Sequence, residues 1–136
     1  MIKYYVSGSY EPEVATDGSA GLDLYVNSIY GDSLGTGVHV EIPHGHVGLL
    51  LPRSSWGIKG FQLANTCGVI DSDYRGEIIM IMDPHPRKGW LAIREGDKVA
   101  QLIVVPCVTK THKCAQQSDL SNTKRGSGGF GSTGGG

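Results

Sequence analysis

The chain of 136 residues predicts an all-β, jelly-roll-like domain. Three observations predict it. Apolar residues come in short runs rich in Val, Ile, Leu and Tyr, each closed by Gly, Pro, Asn or Asp. No window sustains the 3.6-residue period of an amphipathic helix. The segments between runs carry turn chemistry, as in Pro43-His44-Gly45 and the longer Asp83–Gly89 loop. The expected strands, in order, are Ile2–Val6, Leu22–Val26, Val38–Ile42, Val47–Leu51, Phe61–Ala64, Ile78–Met82, Trp90–Ile93 and Val99–Val105. One helical turn is expected at Ser54–Lys59, with Ser54 as its cap. After Pro106 the chain turns polar, and Thr109–Arg125 is expected to be a linker crossing a surface.

The length suits a single domain with its own core. A hydrophobic content of 39% with 18% charged residues is that of a soluble globular protein. No apolar run approaches a membrane span and the first residues lack a signal-peptide pattern, so a cytoplasmic setting is expected, in a cell or from a phage or viral gene. A net charge of −1 argues against a general nucleic-acid binder, whereas a small phosphorylated ligand needs only a few well-placed cations. Cys67, Cys107 and Cys114 are odd in number and lack C-x-x-C spacing, which favours free thiols in a reducing compartment. Cys107, His112 and Cys114 lack a fourth ligand for zinc, so Cys107 is expected to be buried at a strand end and Cys114 to lie at the surface.

The last dozen residues, Arg125 to Gly136, hold a third of the 21 glycines around one cation, one aromatic ring and two hydroxyls. No packed core can form from them. Glycine main chain can approach a phosphate and present successive N–H groups, Arg125 can fork onto its oxygens, and Phe130 can stack on a base. The spelling G-x-G-x-x-G at Gly126–Gly131 is not a dinucleotide fingerprint, because no strand–turn–helix surrounds it.

Four further segments carry chemistry. Gly68–Glu77 reads as a hairpin with Asp71 on its turn and two glycines allowing unusual backbone angles. Its main chain could match the hydrogen-bonding edge of uracil while leaving cytosine's amino group unpaired, the strong kind of discrimination. Pro52–Gly60 places Arg53 and Ser54 at a helix start, where anions bind. Asp23 stands alone between apolar neighbours, as a turn residue or as an outer-shell partner of a hydrated cation. Gln101 interrupts an apolar strand and needs a partner in the core or on a ligand.

Together these segments resemble the trimeric dUTPase family, the deoxyuridine 5′-triphosphate nucleotidohydrolases. Five motifs of that family occur in order: AGLDLYV at 20–26, PRSSWGIKG at 52–60, GVIDSDYRGE at 68–77, GDKVAQLIV at 96–104 and RGSGGFGSTG at 125–134. The third and fifth are highly specific. The resemblance implies hydrolysis of dUTP to dUMP and pyrophosphate, which keeps uracil out of DNA and supplies dUMP for dTMP synthesis. It implies a distorted jelly-roll β-barrel or sandwich that forms a homotrimer, with sites at subunit interfaces and the arm exchanged between subunits.

By position, Asp71 corresponds to the general base for the attacking water and Tyr74 to the ring under the deoxyribose. Asn65, Gly68, Val69 and Ile70 fall at uracil-binding positions. Arg53, Ser54 and Gln101 match phosphate contacts, with Ser55 beside them as a further substrate-binding residue. Asp23 matches the residue that holds, through water, the Mg²⁺ carried by the triphosphate, and Arg125, Phe130, Gly131, Ser132 and Thr133 match the closing arm. The domain organisation that follows is a body at 1–108, a linker at 109–124 and an arm at 125–136. The span from Asp23 to Thr36 is short for the family, which leaves room for the loss of a strand or hairpin. Trp56 stands where smaller aliphatic residues are common.

Neither nucleic acid nor membrane is expected as a partner, and a regulatory protein partner is left open. The nearest rival function within the fold is that of a dCTP deaminase, whose acid/base glutamate has no evident counterpart here. A dUTPase scaffold working as a protein-binding regulator is a second rival, and an inert β domain a third.

Overall fold

The structure, a computed structural model, describes residues 1–84 and 92–131. Eight strands form two antiparallel sheets among them: β1 Lys3–Val6, β2 Leu22–Tyr25, β3 Ser28–Tyr30, β4 Ser33–Glu41, β5 His46–Pro52, β6 Gly68–Ile70, β7 Glu77–Ile81 and β8 Lys98–Pro106. In the first sheet β4 pairs with β1, β3 and β7; the second runs β2-β8-β5-β6. The helix α1, Ser54–Ile58, follows β5. None of the described helices is long and apolar enough to cross a membrane.

Strand alternation builds the core. Ile78 and Met80 of β7 are fully buried, while Ile79 and Ile81 point outward and stay 46% and 45% exposed. Leu24, Leu34, Val40, Leu50, Val99 and Leu102 meet Ile78 and Met80 between the sheets. Burying each such side chain is worth roughly 1.5–3 kcal/mol. The second sheet also carries apolar residues on its outer face: Leu49 pairs with both Val69 and Ile103, and Val47 with Val105. Apolar residues on both faces of both sheets are more than one sandwich needs.

The expected strands at Ile2–Val6, Leu22–Val26, Val47–Leu51, Ile78–Met82 and Val99–Val105 are present with small boundary shifts. Val38–Ile42 is the second half of a longer strand, whose start at Ser33 is hidden in the sequence by Gly35 and Gly37. Phe61–Ala64 is not a strand; Leu63 makes only an isolated bridge to Met82. Of Trp90–Ile93, residues 90 and 91 lie outside the described residues and Ala92 and Ile93 carry no strand. The 23–36 segment has lost no hairpin, since β3 and the start of β4 pair there around Gly31-Asp32.

One irregularity positions the site. Gly35 faces Ile79 and His39 faces Glu77, so four steps along β4 match two along β7. The bulge turns on Gly37 at φ +68°, where an added Cβ would lie 2.8 Å from the Gly8 Cα. The buried Thr36 hydroxyl donates to the Ile78 carbonyl at 2.7 Å and accepts from the Val38 N–H at 3.2 Å, and the Glu77 carboxylate accepts from the Gly37 N–H at 2.8 Å.

Candidate active site

The Gly68–Glu77 segment is not a hairpin. β6 pairs with β5 in one sheet and β7 pairs with β4 in the other, so the turn between them crosses from sheet to sheet. Its glycines do not supply positive φ; they supply room. Tyr74 folds back over Gly76, where a Cβ would meet the tyrosine oxygen at 2.4 Å, and its hydroxyl donates to the Glu77 carbonyl at 2.7 Å. The Tyr74 N–H donates to the Asp71 carbonyl at 3.1 Å. Arg75 Nη1 braces the turn through the Ser72 and Tyr74 carbonyls at 2.7 and 3.1 Å.

This turn walls a depression of about 180 Å³ lined by Val69, Ile70, Asp71, Tyr74 and Ile79. Two features suit it to a base and sugar. β6 is the last strand of its sheet, so one edge of its main chain is unpaired and free to match a planar ring. The Asp71 carboxylate is exposed and has no hydrogen-bond or ion-pair partner among the described residues, which leaves its lone pairs open to water. Gly68 is buried and Asn65 exposed on the loop before β6; neither lines the depression. Between them Thr66 adopts φ +68°, uncommon for a β-branched residue, in a turn closed by Thr66 N–H to the Leu63 carbonyl and Cys67 N–H to the Asn65 carbonyl. Nothing in the sequence signals that conformation.

The phosphate-type residues gather elsewhere. Asp23 of β2, Gln101 of β8 and Leu51 of β5 lie in one cross-strand row. Asp23 is 6% exposed and held by two cations, with Arg53 Nε at 3.3 Å and Lys98 Nζ at 3.6 Å. Arg53 Nη1 donates to the Lys98 carbonyl at 3.1 Å, and the Gln101 amide donates to the Pro52 carbonyl at 3.3 Å, so the partner of Gln101 is main chain. Two donors of the Arg53 fork are thereby used and the rest of it is free. Ser54 is the first residue of α1 rather than its cap; Arg53 takes the cap position without a side-chain cap bond, and Ser54 and Ser55 are exposed beside it. Trp56 is half-buried against the core, with Lys59 Nζ 4.2 Å from its ring centre.

Glu13 and Lys98 complete this ledge. They are partners 85 residues apart in sequence, at 2.5 Å, which no local pattern reveals. Glu13 bridges Asp23 through main-chain bonds of 3.1 and 2.7 Å, so its carboxylate hangs over the same corner. The hydrogen bond from Lys98 holds the Glu13 carboxyl below its usual value of 4.5, and the same bond holds the Lys98 ammonium above 10.5. Burial, then Glu13, pushes the Tyr25 phenol up. A depressed carboxyl stabilises the fold above its unfolded pKa and loses that contribution as pH falls through the folded one; a raised ammonium contributes below its unfolded pKa and loses it as pH rises. Glu13→Gln is therefore destabilising across the neutral range, and the gap from the parent protein closes as pH falls below about 4.5. Denaturation midpoints at a series of pH values check it; a gap that persists unchanged in acid rejects the pairing.

The arm covers neither cluster on its own chain. Arg125 Nε donates to the Gly128 carbonyl at 2.6 Å, the Gly126 N–H donates to the Thr123 carbonyl at 3.2 Å, and Phe130 is fully exposed beside Gly131. Ser132 and Thr133 lie outside the described residues. The linker is exposed apart from a half-buried Cys114 and holds one 3₁₀ turn, Gln117–Asp119. Cys107, expected to be buried, is half-buried, and all three thiols are free.

The two clusters do not meet. Ile70 pairs with Gly48, so Asp71 continues toward Val47, while Arg53 follows the opposite end of β5. The run from Val47 to Arg53 covers about 20 Å at ~3.3 Å per residue. A base-sized recess with a free carboxylate thus sits at one end of a strand and a cationic ledge at the other.

Fold and site together define a β-sandwich protein that handles a small phosphorylated ligand with groups too far apart to act within one chain. The dUTPase family profile matches residues 10–134. A deoxyuridine 5′-triphosphate nucleotidohydrolase of Anaeromyxobacter sp. (strain Fw109-5) is 40% identical over 130 residues, covering 90% of this chain and 86% of that one. The protein of that name from Escherichia phage T5 is 37% identical over 138 residues, covering 90% of each. Staphylococcus bacteriophage 80alpha dUTPase with dUpNHpp superposes with a TM-score of 0.80 over 98% of both chains at 24% identity, a likeness of fold. The chain belongs to the dUTPase family.

Proposed function

We propose that the chain hydrolyses dUTP to dUMP and pyrophosphate as a homotrimer whose sites lie between subunits. The observation that carries this is the separation of Asp71 and Tyr74 from Arg53 and Gln101 along β5. Two half-sites at opposite ends of one strand become a whole only when different copies contribute them. Val69, 62% exposed, with Ile79 and Ile81, offers apolar surface for that contact. The body at 1–108, the linker at 109–124 and the arm at 125–136 then have distinct tasks: the linker, which spans up to about 60 Å when extended, delivers the arm to a neighbour.

In the assembled site the free edge of Gly68–Ile70 and Asn65 meet the uracil, and Tyr74 packs under the deoxyribose. Arg53, Ser54, Ser55 and Gln101 take the phosphate chain. Asp71 accepts a proton from the water that attacks the α-phosphorus in line, the bond to the bridging oxygen breaks, and pyrophosphate leaves with its electron pair. Positioning and the cationic field supply most of the rate. Arg125, Phe130 and Gly131, with Ser132 and Thr133, close over the bound nucleotide and exclude water.

The donor chemistry fits a cation brought by the triphosphate. No cluster of three metal-ligating side chains exists among the described residues, and Mg²⁺ binds through phosphates and water with few protein carboxylates. Asp23 is the carboxylate that would hold its waters. When bound, Mg²⁺ neutralises charge on the phosphate oxygens. A dUTPase from phage phi11 of S. aureus coordinates a structural Mg(II) ion.

Pyrophosphate release from dUTP, set beside dTTP, dCTP and UTP with and without Mg²⁺, tests the proposal. The expected result is a preference for dUTP of about 10²-fold or more, because each competitor leaves a buried polar group unpaired or meets a wall. Equal rates with dTTP or UTP would overturn it.

A further inference from the structure

His39 belongs to none of the five family motifs. It sits on β4 just past the bulge, half-buried, with its Nδ1 2.9 Å from the Arg75 carbonyl. A carbonyl can only accept, so Nδ1 carries the hydrogen. Nε2 then faces the Ser7 hydroxyl at 3.1 Å, and Ser7 can donate to it or turn to the Gly37 carbonyl at 3.3 Å. Protonation of the ring therefore leaves the bond to Arg75 in place, since Nδ1 donates in either charge state.

Arg75 is the node of the turn that carries Asp71 and Tyr74. Its guanidinium braces two carbonyls of that turn, and its Nη2 lies 3.6 Å from Glu41, which also faces Lys3 at 3.5 Å. β4 thus grips Arg75 twice, by its main chain through His39 and by its side chain through Glu41. The grip sits where the bulge has broken the β4–β7 ladder between Gly35 and His39. At its other end the turn is anchored by the β6–β5 ladder in the opposite sheet. A turn strung between two sheets keeps its shape only while both ends are fixed.

Building on the proposed dUTP hydrolysis, we propose that His39 is a positioning residue for the reaction: by donating Nδ1–H to the Arg75 carbonyl it fixes the turn that aims Asp71. Two variants separate this from a general packing role. His39→Asn places an amide donor where Nδ1 stood, while His39→Gln reaches toward Ser7 and leaves the Arg75 carbonyl without a donor. For His39→Gln the expected result is a kcat about tenfold lower with KM for dUTP little changed, as slight misplacement of a catalytic group gives. Most of that loss should return in His39→Asn. Amide hydrogen exchange at residues 72–76 should quicken in His39→Gln and not in His39→Asn. Parent-like kcat in His39→Gln, or no recovery in His39→Asn, overturns the assignment. If the parent protein releases no pyrophosphate from dUTP, the proposed function falls by itself. The exchange comparison still decides whether His39 holds the turn: unchanged exchange in His39→Gln refutes it and quickened exchange sustains it.

Discussion

Replacing Asp71 with asparagine lowers dUTP turnover by about 10²–10⁴-fold, the usual contribution of a positioned general base. The structural cost of the change is small. The carboxylate is exposed and bonds to nothing among the described residues, so no packing or ion pair is lost with it. The amide keeps the shape of the side chain and removes its ability to take a proton. Affinity for a non-hydrolysable dUTP analogue should therefore survive, and pyrophosphate release with analogue titration measures both. Near-parental turnover would remove Asp71 from the role of base; lost analogue binding would make it a binding residue instead.

Deleting every residue after Lys124 is expected to reduce turnover by at least about 10²-fold, because the step then proceeds without the arm's cation and with water free to enter. The oligomer should remain intact by sedimentation. Arg125 bonds within its own segment and Phe130 is fully exposed, so no described part of the core depends on them. A truncated protein with full activity would show the arm to be dispensable.

How much of the fold and site is legible in the sequence depends on the range of the interactions. The apolar runs of β2, β5, β7 and β8 declare themselves because burial repeats every second residue. β3 and the first half of β4 do not, since Ser, Gly and Thr serve there for a bulge rather than for burial. The glycines of the third motif are visible, but their purpose is not the one expected: Gly76 makes space for the Tyr74 ring, and only the folded chain puts that ring above it. The family motifs locate Asp71, Tyr74, Arg53 and Gln101 without revealing that a strand's length separates them. Glu13, Lys98 and His39 have no local signature, because each matters through a residue far away in sequence. Asp23 stands out as an isolated carboxylate, and its two cationic neighbours emerge only with the pairing of β2 and β8.

The distance from Val47 to Arg53 along β5 also has a genetic consequence. Lesions at the two ends of that strand, carried on separate gene copies, leave some mixed assemblies with an undamaged pair of faces. The same two lesions on one copy make each such polypeptide a poison to its neighbours on either side. Inheritance of defects in this protein would accordingly follow their arrangement between alleles as well as their number.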